Sequence, residues 1–214
     1  MKNLTKKYPV VTTLILICLV FAIVSSFYGK MYDLFAFHSK PIYIWQYISG
    51  TFMHGSKEAP IWFLWVHLIL NCLMIIPFGS ILENKLGSKN TFIVFIVAMI
   101  ISSLLFQVIT LPYSEDIVAS GISAIGYAFV TGGIMNMKDL WEKYSNKTKG
   151  LYIILISLSL IMLLPIITGW MSTLMHLSGI ISYFIVYFTI RHFKITEGGA
   201  DVFLDTHTYA PSIF

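Results

Sequence analysis

Four polar side chains sit in surroundings that hydrocarbon would penalise: His67, Asn71, Ser120 and His176. Ionisable and strongly polar groups inside membrane segments usually face the interior of a helix bundle and mark function. Their types suggest acyl transfer. A serine hydroxyl is a weak nucleophile until a nearby base takes its proton. Ser120 is the candidate nucleophile and His176 the candidate base. His67 and Asn71 are four residues apart, which puts both on one face of a helix. Together with backbone N–H groups at the start of the helix that carries Ser120, they could hydrogen-bond to a developing oxyanion. No Asp or Glu lies in the apolar runs that hold these residues, so the expectation is a Ser–His dyad and not a triad.

Plainer roles exist for each residue. Ser120 could be a packing serine, His176 a satisfied core histidine, and His67 with Asn71 a hydrogen-bonded link between helices. Ser123 is a rival nucleophile, one helical turn deeper. His54, His67 and His176 could in principle ligate a metal. No HExxH occurs and no carboxylate lies at their depth, so neither a metal nor a cofactor is expected.

The elements that must position these groups are membrane helices. The chain has 214 residues, of which 57% are hydrophobic and 11% charged, against roughly 25% charged in soluble domains. Several apolar runs exceed the ~18 residues that suggest a span. The reading is an all-α membrane protein of six transmembrane helices in a single domain over 1–192. The expected spans are about 10–27, 61–82, 91–111, 118–137, 151–168 and 171–190, followed by a polar tail at 193–214. The first run also has signal-peptide flanks, but its length and the membrane domain after it favour an uncleaved helix. The connection 28–60 is expected to fold onto the membrane surface as more than a loose loop. Cys18 and Cys72 both lie within apolar runs and are expected to be free thiols.

Charge sets the expected orientation. With six spans the termini share a side, and that side carries eleven Lys and Arg against three on the other, Lys30, Lys40 and Lys57. The positive-inside rule then places both termini in the cytoplasm, most simply across the plasma membrane. The Asn3 and Asn146 sequons become chance matches. The net charge of +4 is spread over short loops and gives no sign of nucleic-acid binding.

The fourth span is the centre of the design. Gly121, Ala124, Gly126, Ala128, Gly132 and Gly133 let neighbouring backbones approach closely, so this helix should be surrounded by others. His67 and His176 lie roughly 8–9 Å below the outer ends of their spans at 1.5 Å per residue. Ser120 reaches that depth only if the acidic 112–117 loop dips inward or the fourth helix starts low. Gly179, three residues after His176, would let the fourth helix come close.

Together these residues resemble the rhomboid family of intramembrane serine proteases, from about Trp45 to Gly179. The segment Trp45 to Gly55 is similar to that family's first-loop segment. His67 and Asn71 fit its HxxxN motif, Glu83 and Gly87 follow at the expected spacing, Ala119-Ser120-Gly121 fits most of GxSG, and His176 to Gly179 fits HxxG. The resemblance implies a rhomboid-like bundle around a water-filled cavity open to the outside. It implies Ser120 as nucleophile, His176 as base, and His67 and Asn71 at the oxyanion. The implied substrates are other membrane proteins, cut in or near their spans at small-residue, helix-destabilising stretches. The rival reading is a catalytically silent rhomboid-like protein that binds transmembrane helices. A transporter would more often show internal repeats, and none is evident.

Three positions depart from the family pattern. Val118 replaces the first motif glycine and is expected to crowd the sixth helix or stiffen the turn at Ser120. Gln46 replaces the arginine of a Trp-Arg pair and is expected to loosen the first loop. Ala124 stands where an aromatic often supports the base, with Tyr127 about one turn further on.

Overall fold

The computed structural model describes residues 6–196, with side chains to residue 192. Most of the expected polar tail, and the Asn3 sequon, lie outside the described residues.

The fold is mostly helical. Helix α1 spans Pro9–Phe27, with proline in its first turn, where a missing N–H costs nothing. Its free N-terminal donors are met from another element: Val10 N–H and Val11 N–H donate to the two carboxylate oxygens of Glu83 at 2.9 and 3.1 Å. Glu83 is buried, so these charge-assisted bonds anchor α1 where water is scarce.

The first connection is structured. Helix α2 covers Lys30–Phe35, strand β1 Phe37–His38, and helix α3 Gln46–Ser49. Gln46 does the reverse of loosening this segment. It is buried, its Oε1 accepts from the N–H groups of Ile42 and Tyr43 at 3.0 and 3.2 Å, and its Nε2 donates to the Asp33 carbonyl at 2.9 Å. One neutral amide supplies both acceptor and donor, a combination that arginine lacks. Trp45 adds a bond from Nε1 to the Leu34 carbonyl.

Helix α4 runs over Ile61–Thr110, 50 residues, with non-helical backbone at Gly87. A straight helix of that length would reach about 75 Å, more than twice the ~30 Å hydrocarbon thickness. Gly87 therefore separates two arms, 61–86 and 88–110. The gap expected between the second and third spans, 83–90, contracts to this one residue, with helix continuing on both sides.

Strand β2, Val118–Ala119, pairs antiparallel with β1: Phe37 opposite Ala119 and His38 opposite Val118. This small sheet is the exception to the all-α expectation. It also removes the crowding expected of Val118. A β-branched residue suits a strand, and its side chain is half exposed.

Helix α5, Ser123–Met135, is 13 residues long, about 20 Å. It begins five residues later than the expected fourth span, because 118–119 are paired in the sheet and Gly121 has a φ of +135°. Its buried residues run from Ala124 to Val130 and include Gly132 and Gly133. A Cβ at Gly133 would meet Phe78 Cβ at 2.8 Å, and one at Gly126 would meet Met74 Cε at 3.5 Å. The small side chains thus let α4 lie along α5.

Helix α6 covers Lys138–Trp141 and α7 Asn146–Ile161, the latter capped by Ser145, whose side chain accepts from Thr148 N–H. The expected fifth span to Thr168 ends early at Ile161. Pro165 cannot continue it, and instead opens helix α8, Pro165–Thr168. Helix α9, Trp170–Thr196, is 27 residues long and passes the expected end near Ile190. At Gly179 it meets α5 so closely that an added Cβ would strike the Ala124 carbonyl oxygen. Helices α1 and α9 and the long α4 are each apolar and long enough to cross a membrane. Cys18 and Cys72 are free thiols.

Candidate active site

Residues from four regions line one cavity of about 500 Å³. His67 and Asn71 come from α4, Ser120 and Gly121 from the β2–α5 segment, Tyr127 from α5, and His176 from α9. The remaining wall is largely apolar, supplied in part by Met74, Met162, Met171 and Met175.

Ser120 is not on a helix. It lies between β2 and α5, three residues before Ser123. A helix of about 20 Å leaves roughly 10 Å of hydrocarbon thickness unspanned, and the non-helical segment with Ser120 lies beyond its N-terminus. Irregular backbone at depth is tolerated where protein or a water-filled cavity covers it. Two backbone contacts hold the segment: the β1–β2 pairing, and a bond from Gly121 N–H to the Gly50 carbonyl at 3.1 Å. That second bond occupies one of the backbone donors expected to serve an oxyanion. Gly121 also has to be glycine. Its backbone is left-handed, and a Cβ would stand 3.0 Å from His67 Cε1 and 3.2 Å from its Nε2. The His67 ring therefore lies directly against the residue after Ser120.

The two histidines have opposite hydrogen-bond polarity. His67 Nδ1 faces the Gly55 N–H at 3.3 Å. A backbone N–H only donates, so Nδ1 accepts, and the neutral ring carries its proton on Nε2, on the edge of the ring that faces Gly121. His176 Nδ1 faces the Met162 carbonyl at 3.2 Å. A carbonyl only accepts, so Nδ1 carries the proton and the Nε2 lone pair is free to act as a base. A backbone carbonyl takes the orienting position that a carboxylate holds in a Ser-His-Asp triad.

Tyr127 stacks on the His176 ring, with centroids 4.3 Å apart and planes 25° apart. Its hydroxyl donates to the Ser159 carbonyl at 2.6 Å, which fixes the ring. The aromatic support that Ala124 lacks is thus supplied three residues later. Sequence spacing from Ser120 did not reveal this, because Ser120 lies off the helix and the one-turn count starts at the wrong residue.

Asn71 donates from Nδ2 to the His67 carbonyl at 3.0 Å, and its buried Oδ1 has no partner among the described residues. One Nδ2 proton remains to be used. The Ser120 hydroxyl donates to the Gly55 carbonyl, so its proton points to that carbonyl and not to His176. Ser123, the rival nucleophile, also lines the cavity, as the first residue of α5. His54 stacks edge-on to His67 at 5.2 Å. Among the described residues no group of three or more His, Cys, Asp or Glu is arranged to hold a metal ion.

The rhomboid domain model matches residues 41–193, most of the chain and every residue named at the cavity. The chain belongs to the rhomboid family. It is an integral membrane protein, consistent with three long apolar helices among the described residues. It is also similar to a rhomboid-like protease 3 of Toxoplasma gondii, at 23% identity over 109 residues. That match covers 51% of this chain and 37% of the relative, so the chain spans well under half the length of the protein it matches.

Proposed function

We propose that this rhomboid-family chain is an intramembrane serine endopeptidase that cuts other membrane proteins in or near their transmembrane segments. Ser120 is the nucleophile and His176 the general base. His67 Nε2–H and the second Nδ2–H of Asn71 stabilise the oxyanion. The observation that carries this reading is the opposite polarity of the two histidines: one presents a donor and the other a lone pair to the same cavity as Ser120. A bundle built only for packing has no need of that division. The chemistry begins when the Ser120 hydroxyl leaves the Gly55 carbonyl and turns to His176 Nε2. His176 Nε2 takes the hydroxyl proton as the Ser120 oxygen attacks the scissile carbonyl, and returns it to the leaving amine as the C–N bond breaks; a water deprotonated by the same histidine then hydrolyses the acyl-enzyme and restores Ser120.

The topology we propose has six spans: α1, the two arms of α4, α5, α7 and α9. Both termini are cytoplasmic, the cavity opens to the outside, and the host membrane is the plasma membrane. The basic residues of the Lys85–Lys89 turn and of Lys138–Lys149 support this orientation. Short α5, with non-helical chain before it, supports access of water to Ser120.

The second reading, a silent protein that binds transmembrane helices, draws on one feature: in this structure the Ser120 proton goes to Gly55. Labelling of the purified full chain with a fluorophosphonate separates the two. The peptidase reading expects covalent labelling of wild type that disappears in Ser120→Ala and His176→Ala. It also expects cleavage, lost in the same variants, of a reporter with a small-residue transmembrane segment. A folded wild type that neither labels nor cleaves would establish the binding reading. Labelling that survives Ser120→Ala would move the nucleophile to Ser123.

A further inference from the structure

Gly55 lies outside the motifs that carry the dyad, yet both of its backbone groups are engaged by cavity side chains. Its N–H donates to His67 Nδ1 at 3.3 Å, and its carbonyl accepts the Ser120 hydroxyl. We propose that Gly55 is a positioning residue that sets the donor tautomer of His67 and holds the resting orientation of the nucleophile. Its kinetic consequences rest on the peptidase reading above; the tautomer itself does not.

The backbone geometry explains why a single residue can do this. The φ of Gly55 is +76°, a left-handed conformation that glycine adopts without the penalty borne by other residues. There is little room for a side chain. A Cβ would meet Leu64 Cβ at 3.1 Å, Leu64 Cα at 3.2 Å and Tyr32 Oη at 3.2 Å. The residue before it is pinned too: the Tyr32 hydroxyl donates to the His54 carbonyl at 2.6 Å. The peptide planes on either side of Gly55 are thereby aimed in two directions, one at α4 and one at the β2–α5 segment. Beyond Gly55 the loop is tied by Lys57, whose Nζ lies 2.8 Å from Asp33 Oδ2.

The consequence for chemistry concerns one proton. If Gly55 N–H were turned away, nothing would oblige His67 Nδ1 to accept. The ring could then carry its proton on Nδ1 and present a lone pair to the oxyanion, which repels it. The Gly55 carbonyl acts on the other partner. It gives the Ser120 proton a resting acceptor, so that a polar hydroxyl is satisfied in an apolar wall until substrate arrives. Attack then requires the hydroxyl to exchange the Gly55 carbonyl for His176 Nε2.

The test uses full-length protein in lipid bilayers, with ¹⁵N-labelled histidine and magic-angle-spinning NMR. The His67 signal is assigned by its loss in His67→Gln. Wild-type His67 is expected to be protonated at Nε2 and bare at Nδ1. Gly55→Ala is expected to lose that pattern and to slow fluorophosphonate labelling of Ser120 at least tenfold, since removing one oxyanion donor typically costs on the order of 10²–10³ in rate. The reversible affinity for the probe should change much less. Helical circular dichroism selects the folded fraction of Gly55→Ala for the comparison with wild type, and the wild-type tautomer is read whether or not that variant folds. A wild-type His67 protonated at Nδ1 would overturn the inference. So would a folded Gly55→Ala protein that labels as fast as wild type. If wild type never labels, the peptidase reading falls, while the wild-type tautomer still decides the role of Gly55.

Discussion

Replacing Gly179 by Ala tests whether the approach of α9 to α5 sets the geometry of the proposed dyad. The new Cβ would strike the Ala124 carbonyl oxygen, and the next contacts are Ala124 C at 2.7 Å and Cα at 3.2 Å. All three are backbone atoms in the first turn of α5, so no side chain can rotate away and the helices must separate. Overpacking of this kind costs about 1–3 kcal/mol, and a rigid backbone target places it at the upper end. For a chain of this length each kcal/mol shifts the unfolding midpoint by about 2–4 °C, so Gly179→Ala should melt roughly 6–12 °C below wild type in the same detergent. The chemical effect should be larger than the stability effect. His176 lies one turn before Gly179 and Ser120 lies just before α5, so the separation acts on both members of the proposed dyad. A displacement of about 1 Å can cost 10²-fold in rate. The expected result is a folded protein, by helical circular dichroism, that labels with fluorophosphonate about a hundred-fold more slowly well below its melting midpoint. An unchanged midpoint together with an unchanged labelling rate would refute the reasoning, because the close approach would then carry neither packing nor alignment.

Other outcomes follow from single contacts. Tyr127→Leu keeps an apolar side chain but removes the ring stacked on His176 and the bond to the Ser159 carbonyl; labelling should fall at least tenfold with a loss of about 1–2 kcal/mol in stability, and Tyr127→Phe should retain most of the rate. Glu83→Gln leaves only one oxygen for the two N–H groups of α1 and should cost about 2–3 kcal/mol, read as a lower melting midpoint with little change in labelling per folded molecule. Gln46→Ala frees Ile42 N–H, Tyr43 N–H and the Asp33 carbonyl together, and hydrogen exchange should rise across 40–48 before it rises in α4. Burial works to raise the Asp116 carboxyl, but bonds from His38, Lys40 N–H and Ser39 outweigh it and hold it below its ordinary value. A depressed folded value adds stability above the unfolded value that is lost as pH falls through the folded one. Wild type should therefore lose melting midpoint on acidification below about pH 4 more steeply than Asp116→Asn.

Much of the molecule was legible in the chain because hydrocarbon imposes a severe filter. A membrane segment must be apolar and long, so runs such as Val10–Phe27 announce themselves. A polar group inside one needs a reason, so His67, Asn71, Ser120 and His176 stood out before any fold was known. Their i, i+4 spacing and the small residues of α5 are properties of local helix geometry, which sequence carries directly.

What sequence could not supply was the exact place where helix gives way to other backbone, and the polarity of each imidazole. Whether Ser120 begins a helix or precedes one depends on β1, about 80 residues earlier in the chain, pairing with Val118 and Ala119. Gln46 reads as a missing charge until three backbone groups converge on it. Tyr127 reads as misplaced until α9 brings His176 to its face. The donor role of His67 and the acceptor role of His176 are set by the Gly55 N–H and the Met162 carbonyl. Residue types and local periodicity are written in the chain. The direction of a hydrogen bond between distant segments exists only once tertiary packing has brought a fixed donor or acceptor to each ring.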